Sequence, residues 1–245
     1  VMIDIHCHII YGVDDGAFGL SESVEMARVA HESGTTDMIA TPHANAPDLE
    51  PNTWGEDLES RLDKINNAIY NANIPVTVHP GQELFCSGDI VKRVKQGEFI
   101  TLNRSRYILV EFDFYSSIEP ILEYCEELVS IGLVPVIAHP ERFAAVKEDE
   151  QAAYRLKKRG CLLQVNAGSL FGAFGRTSEN IAHDLMDAAA ADFVASDAHS
   201  PYMRSPFISD AHEMISEMYS PDYAELLLHD NPAMVLADKK IESLY

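Results

Sequence analysis

The chain is poor in several features that mark large classes of protein. It has four cysteines in 245 residues, Cys7, Cys86, Cys125 and Cys161, and no CxxC pair among them. That points to reduced thiols and against a disulfide framework. No run approaches the roughly 18 consecutive apolar residues that cross a membrane. Positive charge is scarce: 18 Lys+Arg stand against 39 Asp+Glu, a net charge of −21. Such a surface repels nucleic acid and anionic lipid, so no nucleic-acid partner and no membrane span are expected. There is no Gly/Ser/Pro linker, repeat or low-complexity tract, and residues 1–245 read as one domain. Val1-Met2-Ile3-Asp4-Ile5-His6 lacks a basic leader and a small-residue cleavage site, so the cytoplasm is the expected location. What remains is ordinary globular material, 47% hydrophobic and 23% charged, long enough to bury a substantial core.

Short apolar runs alternate with helical stretches almost from end to end. Met2–Ile5 reads as a strand, followed by a helix over Ser21–Ser33 that Gly34 stops. Asp37–Thr41 is a strand halted by Pro42. Trp54, Leu58, Leu62, Ile65 and Ile69 line one face of a helix. Ile74–His79 is a β-branched strand ending at Pro80-Gly81. Further strands are expected at Tyr107–Val110, Leu133–Ala138, Leu162–Val165 and Asp192–Ala195. Helices are expected at Ile118–Ile131, Asp149–Arg159, Ser178–Ala190, Ile208–Met218 and Tyr223–Leu228. Unbroken alternation implies a parallel sheet, and about seven repeats at this length suggest a (β/α) barrel.

In such barrels chemistry gathers where strands end and loops begin. Those positions hold His6-Cys7-His8 with Asp14-Asp15, then Thr41-Pro42-His43, Gly81-Gln82-Glu83, Glu111, His139-Pro140-Glu141-Arg142, and Ser196-Asp197-Ala198-His199 with Arg204 a little further on. Five of the ten histidines and several carboxylates thus converge on one predicted face. Mixed nitrogen and oxygen ligands suit Zn, Mn, Fe or Co. His6 and His8 project to one side of an extended chain and can share an ion. The set is too large for one ion, and two or three are implied. The other histidines, His31, His79, His183, His212 and His229, read as structural. Cys7 should face away from its flanking histidines and pack.

These motifs resemble the PHP (polymerase and histidinol phosphatase) superfamily, and within it the bacterial protein-tyrosine phosphatases of capsule and exopolysaccharide loci. The resemblance rests on the segments above, on Ala138-His139-Pro140-Glu141-Arg142 and Ser196-Asp197-Ala198-His199 most of all, and on Leu163–Leu170; it spans about residues 2 to 235. It implies an α/β fold, a distorted (β/α)7 TIM-like barrel. It also implies three metal positions: His6, His8, Glu83 and Asp197; then Glu83 as a bridge with Glu111 and His139; then Asp15, His43 and His199. Asp15 matches the family position better than Asp14. Arg142 and Arg204 match arginines that bind the substrate phosphate. The implied cofactors are two or three divalent ions, Mn first, with Fe, Co, Zn or Mg as alternatives. The implied partner is a phosphotyrosine protein, the tyrosine-rich tail of a bacterial kinase regulating capsule or exopolysaccharide synthesis.

The chemistry so implied is metal-assisted hydrolysis of a phosphomonoester by a water activated between ions. A cysteine nucleophile is excluded by counting, since a Cys-x5-Arg loop would need Arg six residues after a cysteine. Those positions hold Val13, Lys92, Ile131 and Ala167. Two other readings stand beside this one: a PHP hydrolase acting on a small ester such as histidinol phosphate, and a non-catalytic metal-stabilised module that binds phosphotyrosine or polymerase subunits. Asp14 and Glu141 are the only spare acids near the motifs. A phenolate leaving group, with a pKa of about 10, needs little protonation, so phosphotyrosine should react much faster than phosphoserine.

Overall fold

The computed structural model describes residues 1–47, 49, 51–149 and 151–242. Among the described residues nine strands follow one another: β1 (Met2–Cys7), β2 (Thr35–Ala40), β3 (His43–Ala44), β4 (Thr77–His79), β5 (Glu83–Phe85), β6 (Tyr107–Glu111), β7 (Val134–Ala138), β8 (Leu162–Asn166) and β9 (Phe193–Ala195). They form two ladders, β1-β2-β4 and β3-β5-β6-β7-β8-β9, and every pairing is parallel. The two ladders are one wall. β2 and β3 are halves of a single stave interrupted at Thr41-Pro42, and β4 and β5 are halves of another interrupted at Pro80-Gly81-Gln82. Proline has no N–H to give to a ladder. Gly81 is needed because a Cβ there would lie 2.7 Å from Ile39 and 3.0 Å from the Ala40 carbonyl. Counted as staves the wall has seven members, closed by a bridge between Cys7 and Ala198. This is the distorted (β/α)7 barrel that the sequence implies.

Helices cover the outside, among them α1 (Leu20–Glu32), α2 (Glu56–Asn71), α3 (Ile90–Lys95), α4 (Ile118–Ser130), α5 (Ala144–Glu148), α6 (Ala152–Lys158), α7 (Arg176–Asp187) and α8 (Ser209–Met218). On α2 the expected face of Leu58, Leu62, Ile65 and Ile69 is the buried one. Several boundaries differ from the sequence reading. The strand expected over Ile74–His79 is only Thr77–His79, since Ile74 and Val76 pack beside α1 and α2 rather than joining a ladder. Two-residue β3 and three-residue β5 are too short to show a hydrophobic period. The helix expected over Asp149–Arg159 begins at Ala152, a separate short helix α5 precedes it, and Glu150 lies outside the described residues. The last expected helix runs from Pro221 to Glu225 and continues through a π turn at Leu226–Asp230.

Alternation along β6, β8 and β9 explains why the polar residues at their ends meet. Tyr107 and Leu109 on β6, Leu162 on β8, and Phe193 and Ala195 on β9 belong to one buried cluster inside the barrel, together with Ile3, Ile5, Val136 and Ala138. Their neighbours Ile108, Val110, Leu163, Val165 and Val194 face the helices. Side chains alternate along a strand, so Glu111, Gln164, Asn166 and Asp197 continue the inward series at the carboxyl ends. The barrel is apolar below and polar at its rim.

Candidate metal centre

β1 delivers His6, and His8 follows two residues later on the same side. Their Nε2 atoms are 3.3 Å apart. Cys7 between them turns away and packs, as expected, with its Sγ 3.8 Å from the Ala198 carbonyl. The backbone amide of His6 is held by Asp4, whose carboxylate also accepts the Ser196 N–H at 3.0 Å and the Ser196 hydroxyl at 2.5 Å. β3 pairs with β5 in a register that sets His43 opposite Glu83. β6 ends at Glu111. His139 follows β7 and Asp197 follows β9, and both adopt left-handed backbone, φ 34° and 50°. Such residues cost of order 1–3 kcal/mol unless the surroundings enforce them, and they cluster at functional sites.

The ligand atoms form three neighbouring groups. In the first, His6 Nε2 lies 3.4 Å from both Glu83 Oε2 and Asp197 Oδ1, and His8 Nε2 lies 3.4 and 3.5 Å from the same two atoms. In the second, His139 Nε2 is 3.0 Å from Glu83 Oε1 and 3.6 Å from Glu111 Oε1. In the third, Asp15 Oδ1 is 3.2 Å from His199 Nε2 and 3.5 Å from His43 Nε2. Bond lengths near 2.0–2.2 Å place adjacent ligand atoms of one ion roughly 2.8–3.6 Å apart. His43 spans two groups, because its Nδ1 also lies 2.9 Å from Glu83 Oε2 and 3.7 Å from Glu111 Oε2. All nine histidines and carboxylates expected from sequence lie in this one cluster, but the tightest groupings differ from the implied sets: His8 joins Asp15, His43 and His199, and His43 rather than His139 joins Glu83 and Glu111.

The adjoining aspartates separate cleanly. The Asp14 side chain is fully buried and that of Asp15 is 63% exposed. Asp14 accepts the Nδ1–H of His8 at 2.8 Å and the backbone N–H groups of His43 and Gly16, each at 2.9 Å. Only glycine fits at 16, where a Cβ would stand 2.2 Å from the His8 carbonyl. Asp15 is left to face His43 and His199.

Other Nδ1 atoms are pinned in the same way. His6 Nδ1–H donates to Gln164 Oε1 at 2.8 Å, and His199 Nδ1–H donates to the Asp197 carbonyl at 3.0 Å. Gln164 Nε2 donates to Asn166 Oδ1 at 2.9 Å, and Asn166 Nδ2 to Asp197 Oδ2 at 2.7 Å. Fixing Nδ1–H leaves the Nε2 lone pair aimed into the cluster. The neutral His6 and His8 rings thus point two lone pairs at each other, which a shared cation would reconcile.

Charge and unpaired atoms favour the same occupant. Glu111 is pushed up to about 8 by burial and by Glu83 beside it. Burial would raise Glu83 too, but His6, His43 and His139 hold it well below the usual range. Burial likewise opposes Asp197 ionisation, and His6, His8 and Arg204 overcome it. His43 Nδ1, Glu83 Oε2 and His199 Nε2 are buried without an aligned hydrogen bond. Unsatisfied buried polar atoms are rare and call for an ion or water. The residues fit divalent cations.

Two cations of the protein's own border the cluster. Arg204 Nη2 lies 2.7 Å from Asp197 Oδ2, and Arg142 Nη1 lies 3.7 Å from the same oxygen. Phe174 connects them, with its ring 4.6 Å from the Arg142 guanidinium and 5.5 Å from that of Arg204. Phe114 also packs against Arg142, with its ring 4.5 Å from the guanidinium. Motif reading passed over Phe114 and Phe174, and gave no role to Asp4, Gln164 and Asn166 although they lie within motif segments; for Gln164 and Asn166, polar side chains at alternate positions of an apolar strand were the available signal. His79, read as structural, is held by a partner on β2: its Nε2 is 2.7 Å from Asp37 Oδ1. The strands β2 and β4 are adjacent, a pairing not readable from the sequence around Pro80.

Comparison with known proteins decides the lineage. Residues 2–237 match the family model for capsular polysaccharide synthesis, CpsB/CapC. The chain belongs to the CpsB/CapC family. Among its relatives, the tyrosine-protein phosphatase YwqE of Bacillus subtilis is 34% identical over 246 residues, covering 98% of this chain and 93% of YwqE. The tyrosine-protein phosphatase CpsB of Streptococcus pneumoniae is 28% identical, covering 98% and 100%. A crystal structure from work on YwqE and pneumococcal CpsB, described as unique metal-dependent tyrosine phosphatases, superposes with a TM-score of 0.91 at 33% identity, covering 98% of this chain and 96% of the other. This CpsB/CapC member shares their barrel over nearly its whole length.

Proposed function

We propose that this protein is a metal-dependent protein-tyrosine phosphatase of capsule or exopolysaccharide regulation, with residues 1–245 acting as one catalytic domain. The observation that carries the reading is the meeting of two guanidiniums, Arg142 and Arg204, at the edge of a buried histidine–carboxylate cluster. His6, His8, Glu83 and Asp197 would hold one divalent ion, Glu83, Glu111 and His139 a second, and Asp15, His43 and His199 a third, with His43 also within reach of the second. Bound ions of this kind lower the pKa of water towards neutrality and neutralise phosphoryl oxygens. Manganese is the first choice on the family resemblance, since nitrogen and carboxylate ligands would equally suit Zn, Fe or Co.

The residues of the chain supply the rest. Arg142 and Arg204 present planar forks to the phosphoryl oxygens, and Phe114 and Phe174 hold those forks in place. Gln164, Asn166 and Asp14 keep the ligands oriented. Neither spare acid is presented to a leaving group, since both side chains are buried, Glu141 with its Oε2 unpaired. Asp14 is occupied by three N–H donors, and the buried Glu141 accepts from Asn166 N–H and the Ser169 hydroxyl. Departure without protonation favours a phenolate over an alkoxide, which supports phosphotyrosine as substrate. The target would be the tyrosine-rich tail of a bacterial kinase. Four unpaired, buried cysteines suit a cytoplasmic setting, and no helix of the described residues is long and apolar enough to cross a membrane.

The test is a side-by-side turnover measurement on peptides differing only in phosphotyrosine or phosphoserine, and on histidinol phosphate, before and after metal stripping. Phosphotyrosine should be hydrolysed much faster, chelation should abolish it, and manganese should restore it. Glu83→Ala should remove most activity. A clear preference for histidinol phosphate, or full activity in a stripped sample, would overturn the reading.

A further inference from the structure

On the outer side of Arg142 lies a cavity of about 310 Å³ lined by Phe114, Tyr115, Arg142, Lys147, Phe174 and Ser178, with Ala144. Two of these residues are cationic, and none of the described lining residues is acidic. In a chain of net charge −21 such a lining stands out, although Lys147 also lines a neighbouring cavity with Asp149 and Asp184. The backbone fixes the arrangement. Ala144 N–H donates to the Phe114 carbonyl at 2.7 Å, which ties the start of α5 to the loop after β6 and sets Lys147 one turn further along. Tyr115 N–H donates to Asp113 Oδ1 at 2.8 Å, and its ring stands 89% exposed.

The Arg142 guanidinium is packed against two rings, 4.5 Å from Phe114 and 4.6 Å from Phe174, which hold it at the wall of the cavity. Lys147 is exposed and forms no ion pair among the described residues, those of the cluster included. We infer that this cavity is a subsite for a second anion on the substrate, a carboxylate or phosphate on a residue next to the phosphotyrosine, held by Lys147. The aromatic walls of Tyr115 and Phe174 would seat the apolar part of that side chain. The inference rests on the phosphatase reading and adds to it a preference in the flanking sequence.

The experiment compares the manganese-loaded full chain with Lys147→Ala and Lys147→Glu. The substrates are p-nitrophenyl phosphate and three phosphotyrosine peptides, whose flanking residues are neutral, glutamate, or a second phosphotyrosine. In the wild type the anionic peptides should have the lower KM. Lys147→Ala should raise KM for those two about two- to fivefold, the scale of an exposed ion pair. The neutral peptide and p-nitrophenyl phosphate should be unaffected. Lys147→Glu should have the larger effect, fading as salt rises. A bigger loss on the doubly phosphorylated peptide than on the glutamate peptide assigns the subsite to phosphate, and equal losses assign it to any anion. An equal fractional loss on all four substrates would overturn the inference, because Lys147 would then serve the phosphate being removed. No change on any of them would overturn it as well. A wild-type enzyme inactive on every phosphotyrosine peptide would refute the phosphatase reading itself, and the subsite with it.

Discussion

Replacing Asp14 by asparagine tests the division of labour between the two adjacent aspartates. Asp14 Oδ2 receives two donors, His8 Nδ1–H and His43 N–H, while Oδ1 receives Gly16 N–H. Asparagine keeps one acceptor oxygen and gains an NH2 group. Its cheaper orientation leaves oxygen on the two-donor side and sets NH2 against Gly16 N–H, stranding one buried donor at a cost of about 1–3 kcal/mol. The charge that keeps His8 basic is lost as well, and loss of such a partner behind a ligand lowers metal affinity about 10–100-fold. Asp14→Asn should therefore bind the full number of ions more weakly and melt earlier. Asp15→Asn, at an exposed carboxylate facing His43 and His199, should lose one ion per chain and leave the others at wild-type affinity. Elemental analysis gives the stoichiometry, and competition with a chelator gives the affinity. The reasoning is refuted if the pattern is reversed, with Asp14→Asn losing one ion outright and Asp15→Asn merely weakened.

Three further outcomes are expected. Arg142→Lys should resemble Arg142→Ala in turnover with metal content unchanged, because lysine offers neither a planar fork nor a flat group to pack on Phe114 and Phe174; wild-type turnover in both would remove Arg142 from the site. In the stripped protein, burial opposes protonation of His6, His8 and His43, yet nearby carboxylates raise them above their ordinary 6.5. Groups raised in the folded state stabilise it fully below their unfolded pKa, and that contribution disappears as pH climbs through the folded value. Glu111, raised from 4.5 to about 8, acts in the same direction, while His139 and His199, lowered by burial, oppose it. The melting temperature of stripped protein should fall between pH 6 and pH 8, and the gap to the manganese-loaded form should widen; a constant gap would contradict this. Finally, Lys157 pairs with Asp192 in the interior, where Asp192 also accepts Leu163 N–H. Lys157→Met leaves that carboxylate without its cation and should cost about 3–5 kcal/mol by denaturant unfolding; a change below 1 kcal/mol would show the pair to be dispensable.

Much of the centre was legible because histidine and carboxylate interrupt apolar strands at one end only. Inward positions lower in the barrel are filled by residues such as Leu109, Leu162 and Phe193, so a polar residue at the next inward position stands out. The staves broken at Pro42 and Pro80 were not legible as continuous, because β3 and β5 have too few residues for a period and proline reads as an end. Phe174 was hidden for another reason. Its role depends on two arginines far from it in sequence, and an aromatic residue in a loop carries no periodic signal of what it stacks on. The distinct tasks of Asp14 and Asp15 follow from the tight turn at Gly16 against His8, a contact that only the folded chain reveals.

The closure of the barrel carries a consequence of its own. Where the first and last staves meet, the join is thin: His8 N–H to the Ala198 carbonyl at 2.8 Å, Asp197 N–H to the His6 carbonyl at 2.9 Å, and the Asp4–Ser196 contacts. His6 and His8 approach this seam from one side, Asp197 and His199 from the other. A cation gripped by residues of both sides is a rivet as much as a reagent. Emptying the centre should weaken the wall where the first and last staves meet, so metal content and resistance to unfolding should fall together.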